Sequence, residues 1–189
     1  MHAQPNDYLT RPAIYKDLLT PEECLKIRGG PFANSSEARV MLDAAAGEAV
    51  DVSMRKTIHH SLFPGPQSDW IAQRIRQLFE LTNQSYYHFK LSGFSELLVL
   101  EYELGGFYDW HHDLGQGRLS TRKLSCVVFL SDPADYAGGR LQLERPERDL
   151  PRNQGLAIVF PSYLNHRVEP LSAGRRWSLV AWAHGDAFT

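Results

Sequence analysis

Near His88 the hydrophobic period of this chain changes, and that change constrains the fold more than any other feature. Before it, apolar residues recur at helical spacing. After it they alternate, or run together in short stretches cut by glycine and proline. Thr20-Pro21-Glu22-Glu23 is a capping box with proline at the first helical position, so a short helix is expected through about Ile27, ended by Gly29-Gly30-Pro31. A second helix is expected from Ser68-Asp69, with Trp70, Ile71, Ile75, Leu78 and Phe79 on its apolar stripe and Arg74, Arg76 and Gln77 outside it. Residues 94–102, 123–131, 141–144, 155–160, 167–170 and 177–183 read as strands, with 52–62 as a further candidate and Asp135 to Arg140 as a tight turn. Helices first and many short strands afterwards give a mainly β chain of α+β type, a sandwich or jelly roll with flanking N-terminal helices. Periodicity alone does not choose between the two. One domain spanning residues 1–189 is expected, with the helical flank at about 1–87 and the β core at about 88–184.

Composition narrows the partners. The chain is 43% hydrophobic, which suits one ordinary core, and its 22 acidic residues against 20 basic ones give a formal net charge of −2. Sequence-independent binding to a phosphate backbone needs a basic surface, so no nucleic-acid partner is expected. Arg145 to Arg152 mixes both signs and reads as a solvated loop. Cys24, on the first helix, and Cys126, in an apolar strand, are expected to be free and buried. Met1 to Pro12 lacks an apolar signal core, and no apolar run approaches the ~20 residues of a membrane span. The expectation is a cytoplasmic protein with no membrane partner.

The chemistry is concentrated in His111-His112-Asp113, with His166 and Arg176 much later. In an extended segment alternate side chains share a face, so His111 and Asp113 point together and His112 points away. Two histidines and a carboxylate hold a metal on one face and leave the other open. Iron(II) held in that way takes up an oxidisable organic acid and dioxygen together. Arg176 suits the far end of such an acid, because a guanidinium grips a carboxylate in two places and keeps its charge. Ser178 shares a strand face with Arg176 and offers a further hydrogen bond. Tyr102 follows Leu98 and Leu100 on one face, so its hydroxyl points into a barrel, and Gly105-Gly106 permits a sharp turn next to it.

Six ordered blocks over about the last half of the chain then resemble a known family. They are Tyr102 to Asp113, Lys123-Leu124-Ser125 through Leu130-Ser131-Asp132-Pro133, Asp135 to Leu141, Phe160-Pro161-Ser162, His166 to Pro170, and Gly174 to Leu179. This pattern is similar to the iron(II)- and 2-oxoglutarate-dependent dioxygenases, in their prolyl-4-hydroxylase-like branch. Arg55-Lys56-Thr57 also looks like an early strand of such proteins. The resemblance implies a double-stranded β-helix, another name for this jelly roll, with helices on one side. It implies His111, Asp113 and His166 as iron ligands, with Arg176 and Tyr102 on the distal carboxylate of 2-oxoglutarate. Arg175 is the rival for that carboxylate, and the family's Gly-x-Arg pattern selects Arg176. The activity implied is hydroxylation of a C–H bond with 2-oxoglutarate and O2 as co-substrates, releasing succinate and CO2.

Other readings fit less of the chain. A redox-silent zinc site with the same triad leaves Arg176 without a role. Nucleic-acid dealkylases of the superfamily resemble one another in an Arg-x-Asn-x-Thr-x-Arg block, where this chain has Arg176-Trp177-Ser178-Leu179-Val180-Ala181-Trp182. A non-catalytic metal-binding jelly roll would not need every ligand position filled. The expected substrate is a peptide, protein or amino-acid-like molecule, prolyl-type first, with a small biosynthetic intermediate as the alternative. Tyr108 and Trp110 flank the triad and are candidates for a substrate wall, or else packing aromatics. Arg55, Arg118 and Arg122 are read as surface charge, and His59, His60 and His184 as structural or exposed.

Overall fold

Thr20 starts the first helix, α1 (Pro21–Arg28): its hydroxyl accepts from the Glu23 amide at 3.2 Å, and the Glu23 carboxylate accepts from the Thr20 amide at 3.0 Å. The second helix, α2 (Asp69–Thr82), buries Ile71, Ile75, Leu78, Phe79 and Thr82, all on one stripe. Trp70, expected on that stripe, is half-buried beside it under Lys26 and Arg74. The computed structural model describes residues 5–38, 40–43, 47–49, 51, 53–95, 97–144 and 150–188. Most of the segment read as a solvated loop, Arg145 to Asp149, lies outside them.

Sixteen strands are found among the described residues. The first six are β1 (Ala13–Tyr15), β2 (Phe32–Glu37), β3 (Val40–Asp43), β4 (Gly47–Ala49), β5 (Arg55–Lys56) and β6 (Ile58–Leu62). Next come β7 (Leu91–Phe94), β8 (Leu98–Tyr102), β9 (Phe107–His111), β10 (Arg122–Phe129) and β11 (Tyr136–Gly138). The last are β12 (Leu141–Leu143), β13 (Ala157–Pro161), β14 (His166–Val168), β15 (Leu171–Gly174) and β16 (Arg176–Gly185). A major antiparallel sheet runs β1-β13-β10-β16-β8-β6-β2, with β7 also paired to β16, and a minor one runs β12-β14-β9-β5. The strands β11 and β15 pair separately, as do β3 and β4. The result is a double-stranded β-helix with helices against one side, as expected from the sequence.

Strand alternation divides the major sheet into two chemically different faces. Leu124, Cys126, Val128, Ala157, Val159, Leu179, Ala181 and Ala183 pack in one apolar cluster with Ile71, Ile75, Leu78 and Phe79 of α2 and Cys24 and Ile27 of α1. Leu100, Tyr102, Val127, Phe129, Ile158, Phe160 and Val180 face the other way, toward Leu141, Leu143 and Val168 of the minor sheet. The space between the sheets belongs to this second face. Both cysteines are free and buried, and burial raises each thiol pKa, Cys24 to about 11. No helix among the described residues is long and apolar enough to cross a membrane.

Two expectations need correction. The first 87 residues are helical only in part, because β2 and β6 extend the major sheet and β5 the minor one. Five of the six residues of β2 are exposed, so it carries no apolar alternation to read. Asp135 to Arg140 is not simply a turn: Tyr136–Gly138 pairs with β15, and the reversal falls at Gly138 and Gly139, both with positive φ.

Gly155 ties the helical side to the β core. Its amide donates to Phe129 O at 2.8 Å, its carbonyl accepts from the Leu19 amide at 3.1 Å, and its φ is +79°. A Cβ there would lie 2.0 Å from Leu19 O. We expect Gly155→Ala to lower the unfolding free energy by about 2 kcal/mol or more, since both strain and displacement of buried backbone are involved. Thermal melts check this, and an unchanged melting temperature would contradict it.

Candidate metal centre and its pocket

The strands β9 and β14 are neighbours, and their register sets His111 opposite His166. Between that pair and the Tyr108–Val168 pair, β9 holds one extra residue, a bulge that turns Tyr108 and His111 to the same side. Each imidazole is aimed by its own backbone: Nδ1 of His111 is 2.7 Å from Asp109 O, and Nδ1 of His166 is 2.9 Å from Leu164 O. Donating the Nδ1 proton to a carbonyl leaves the Nε2 lone pair of each ring directed at the space between them.

Asp113 completes the group by a route that strand alternation does not supply. The strand ends at His111, and the chain is held beyond it by the Asp113 and Leu114 amides, which both donate to Ser162 O at 2.9 and 3.0 Å. The Asp113 carboxylate then accepts from Ser125 Oγ at 2.6 Å, and Ser125 Oγ is 2.9 Å from Ser162 Oγ. Its oxygens lie 4.0 Å from His111 Nε2 and 3.7 Å from His166 Nε2, and all the candidate ligand atoms fall within 4.8 Å of one another. Those separations exceed a hydrogen bond and suit atoms that each sit about 2 Å from one shared ion. His112 is outside the group, with its Nδ1 bonded to Leu114 O.

Electrostatics agree with that use. Burial alone would raise the Asp113 pKa, but His166, His111, Arg122 and the Ser125 hydrogen bond outweigh it and hold the carboxyl well below its usual range. Burial, and then His166, push His111 down to about 3, so its ring is neutral and its lone pair available at ordinary pH. This donor set of two imidazoles and one carboxylate fits iron(II).

The opposite wall of the same cavity, of about 320 Å³, carries Arg176, Tyr102 and Ser178. Arg176 opens β16 directly across from Tyr102 at the end of β8, and both are 1% exposed. Its Nη1 is 3.5 Å from Ser178 Oγ, and its guanidinium carbon is 5.1 Å from the Tyr102 ring centre and 5.2 Å from that of Phe129. Among the described residues, Nε and Nη2 of Arg176 have no hydrogen-bond partner. A buried guanidinium without a carboxylate is costly to keep, and a ligand carboxylate would complete it. Arg175, the rival, points outward and pairs with Glu101 at 3.4 Å and Glu103 at 2.9 Å.

Of the two candidate wall aromatics, one lines the cavity. Tyr108 stacks on His111 with ring centres 3.4 Å apart, and burial pushes its pKa up to about 12. Trp110 lies off that face because of the β9 bulge; it is 36% exposed and carries Arg167 at 4.8 Å from its ring centre. Two of the three arginines read as surface charge are not on the surface. Arg55 is buried with its guanidinium 4.2 Å from the Tyr108 ring centre, and half-buried Arg122 lies 3.8 Å from the Trp182 ring centre and 3.9 Å from Asp113 Oδ1. Arg118 is exposed but lines the mouth. His60 is structural, bonded to Ser35 and Glu101, and His184 is bonded to Thr121. His59 lines the cavity instead. Sequence reasoning missed the Ser125–Ser162 support, although Ser125 alternates with Leu124 and Cys126 and so had to face the other sheet.

Residues 97–184 match the 2OG-Fe(II) oxygenase superfamily, a stretch that includes the whole triad together with Tyr102, Arg176 and Ser178. Those 88 of the chain's 189 residues are similar to members of that superfamily. Among curated relatives, a PKHD-type hydroxylase of Sphingopyxis alaskensis is 43% identical over 86 residues, covering 42% of this chain and 39% of its own. A PKHD-type hydroxylase of Thermosynechococcus vestitus is 39% identical over 105 residues, covering 52% and 46%. The chain thus spans less than half the length of these relatives. Among solved structures, a Pseudomonas putida prolyl-4-hydroxylase aligns with a TM-score of 0.71 at 21% identity, over 93% of both chains. A Trichoplax adhaerens prolyl hydroxylase, solved with a hypoxia inducible factor peptide fragment, aligns at 0.70 and 18% identity, over 93% of this chain and 84% of its own. At those identities what is shared is the fold.

Proposed function

We propose that this oxygenase domain is a hydroxylase using iron(II), 2-oxoglutarate and O2, with His111, Asp113 and His166 as the iron ligands. Arg176 receives the distal carboxylate of 2-oxoglutarate, with Ser178 and Tyr102 beside it. One observation carries this reading: a single cavity has a two-histidine, one-carboxylate group on one wall and a buried, incompletely bonded guanidinium on the other. With iron, 2-oxoglutarate and O2 bound, the site supplies oxidation of a substrate C–H bond to an alcohol, with succinate and CO2 as the other products. The protein's part is to position and to shelter. Tyr108 covers one face of His111, Phe160 packs edge-on to His166 at 4.9 Å, and Leu100, Val127 and Val168 keep the interior apolar.

The substrate we propose is a peptidyl or free amino acid, prolyl-type first. The names of the relatives and the prolyl hydroxylase likeness support it. Incubation with iron(II), 2-oxoglutarate, O2 and proline-bearing candidates should yield succinate and a product heavier by one oxygen atom in mass spectrometry. Succinate without any oxygenated prolyl product would reject the substrate. Ser125→Ala, which removes the hydroxyl that orients Asp113, should weaken iron binding by about 10–100-fold and leave folding intact, as read by metal titration. Unchanged affinity would mean that Asp113 needs no such support.

A further inference from the structure

Arg55 and His59 stand apart from both groups just assigned. They belong to neighbouring short strands, β5 on the minor sheet and β6 on the major one, where the chain crosses from one sheet to the other at the cavity's side. Arg55 is only 8% exposed, with its guanidinium carbon 4.2 Å from the Tyr108 ring centre, yet it has no carboxylate within ion-pair distance among the described residues. Among the described residues its buried Nε has no hydrogen-bond partner, and the same holds for the buried Nε2 of His59. Native structures rarely leave two such buried polar atoms unused.

In the hydroxylase reading 2-oxoglutarate is held by the iron and Arg176, so it leaves the buried Arg55 guanidinium without a counter-charge.

We infer that the substrate brings a carboxylate into this cavity, received by Arg55 and His59. This rests on the hydroxylase reading above. The carboxylate is either the α-carboxylate of a free or C-terminal residue, or the side chain of an acidic residue beside the target. Tyr108 braces Arg55, and the Nε left without a partner among the described residues is free to meet the ligand.

The test is binding to protein loaded with iron(II) and 2-oxoglutarate without oxygen, followed calorimetrically, with the visible absorption of the iron–2-oxoglutarate chelate recorded in each sample. Probes come in pairs: free L-amino acids including proline against their amides, and C-terminally amidated proline hexapeptides with glutamate or glutamine next to proline. In at least one pair the acid should bind on the order of tenfold to a hundredfold more tightly. Arg55→Gln and, separately, His59→Leu should erase that preference while 2-oxoglutarate affinity stays unchanged, and Arg55→Lys should restore part of it. The favoured pair tells which carboxylate is read. Equal affinity within every pair, absence of binding by any acid, or a preference that survives both substitutions overturns the inference. Loss of the chelate absorption in wild-type protein would instead overturn the hydroxylase reading itself.

Discussion

Asp113→Ala should abolish turnover and weaken iron binding by more than about a hundredfold, the largest effect expected from any single substitution in this chain. Loss of an outer partner of a ligand typically costs 10–100-fold in metal affinity, and Asp113 is proposed as a ligand itself. It is also the one negative charge in the triad, held ionised by His166, His111 and Arg122. Its removal leaves two imidazoles and a nearby guanidinium, a site with no negative charge to offset a dication. Because Asp113 follows the end of β9 and is anchored through its amide to Ser162 O, the fold should survive. Metal titration and circular dichroism together check this. Retained iron affinity in a folded variant would remove Asp113 from the ligand set.

Arg176→Met should separate stability from function in opposite directions. Arg176 is buried with two nitrogens unbonded among the described residues, so in the absence of 2-oxoglutarate its charge is a cost to the folded state. Exchanging buried charge for a packed apolar side chain is often neutral or stabilising, so the ligand-free variant should melt at the wild-type temperature or above it. Breaking the proposed charge-assisted pair with 2-oxoglutarate should cost about 1.5–3 kcal/mol, one to two decades in affinity. At a concentration one hundred times the wild-type Kd, the ligand stabilises wild type by about 2.7 kcal/mol. The variant would gain only about 1.4 or about 0.4 kcal/mol at tenfold or hundredfold weaker affinity. Melting curves with and without 2-oxoglutarate at constant iron(II) measure both halves. A variant that melts lower and still gains the full ligand shift would make Arg176 a structural residue.

Much of this was legible before the structure because it is written in local patterns. The capping box set α1, the stripe from Ile71 to Phe79 set α2, and the apolar runs of β10, β13 and β16 set the centre of the major sheet. The grouping of His111, Asp113 and His166 and the burial of Arg176 were legible because a metal or carboxylate site is strict about residue type. What was not legible depends on tertiary pairing. The exposed β2 and the two-residue β5 gain strand identity only from their neighbours, β6 and β9. The β9 bulge, which separates Tyr108 from Trp110, is a property of the pairing with β14 and not of either sequence. Arg55 and Arg122 read as surface charge because arginine usually is one. Only the approach of β5 to β9, and of Arg122 to Trp182, buries them.

In the proposed reading one cavity holds iron through His111, Asp113 and His166 and 2-oxoglutarate through that iron and Arg176. The decisive measurement is the addition of iron(II) and 2-oxoglutarate to the protein without oxygen. Direct chelation should produce a weak visible metal-to-ligand absorption in wild type, lost in Asp113→Ala and requiring a higher 2-oxoglutarate concentration in Arg176→Met. Well-folded wild-type protein that shows no such absorption at saturating iron(II) and 2-oxoglutarate would not hold 2-oxoglutarate on iron in this cavity.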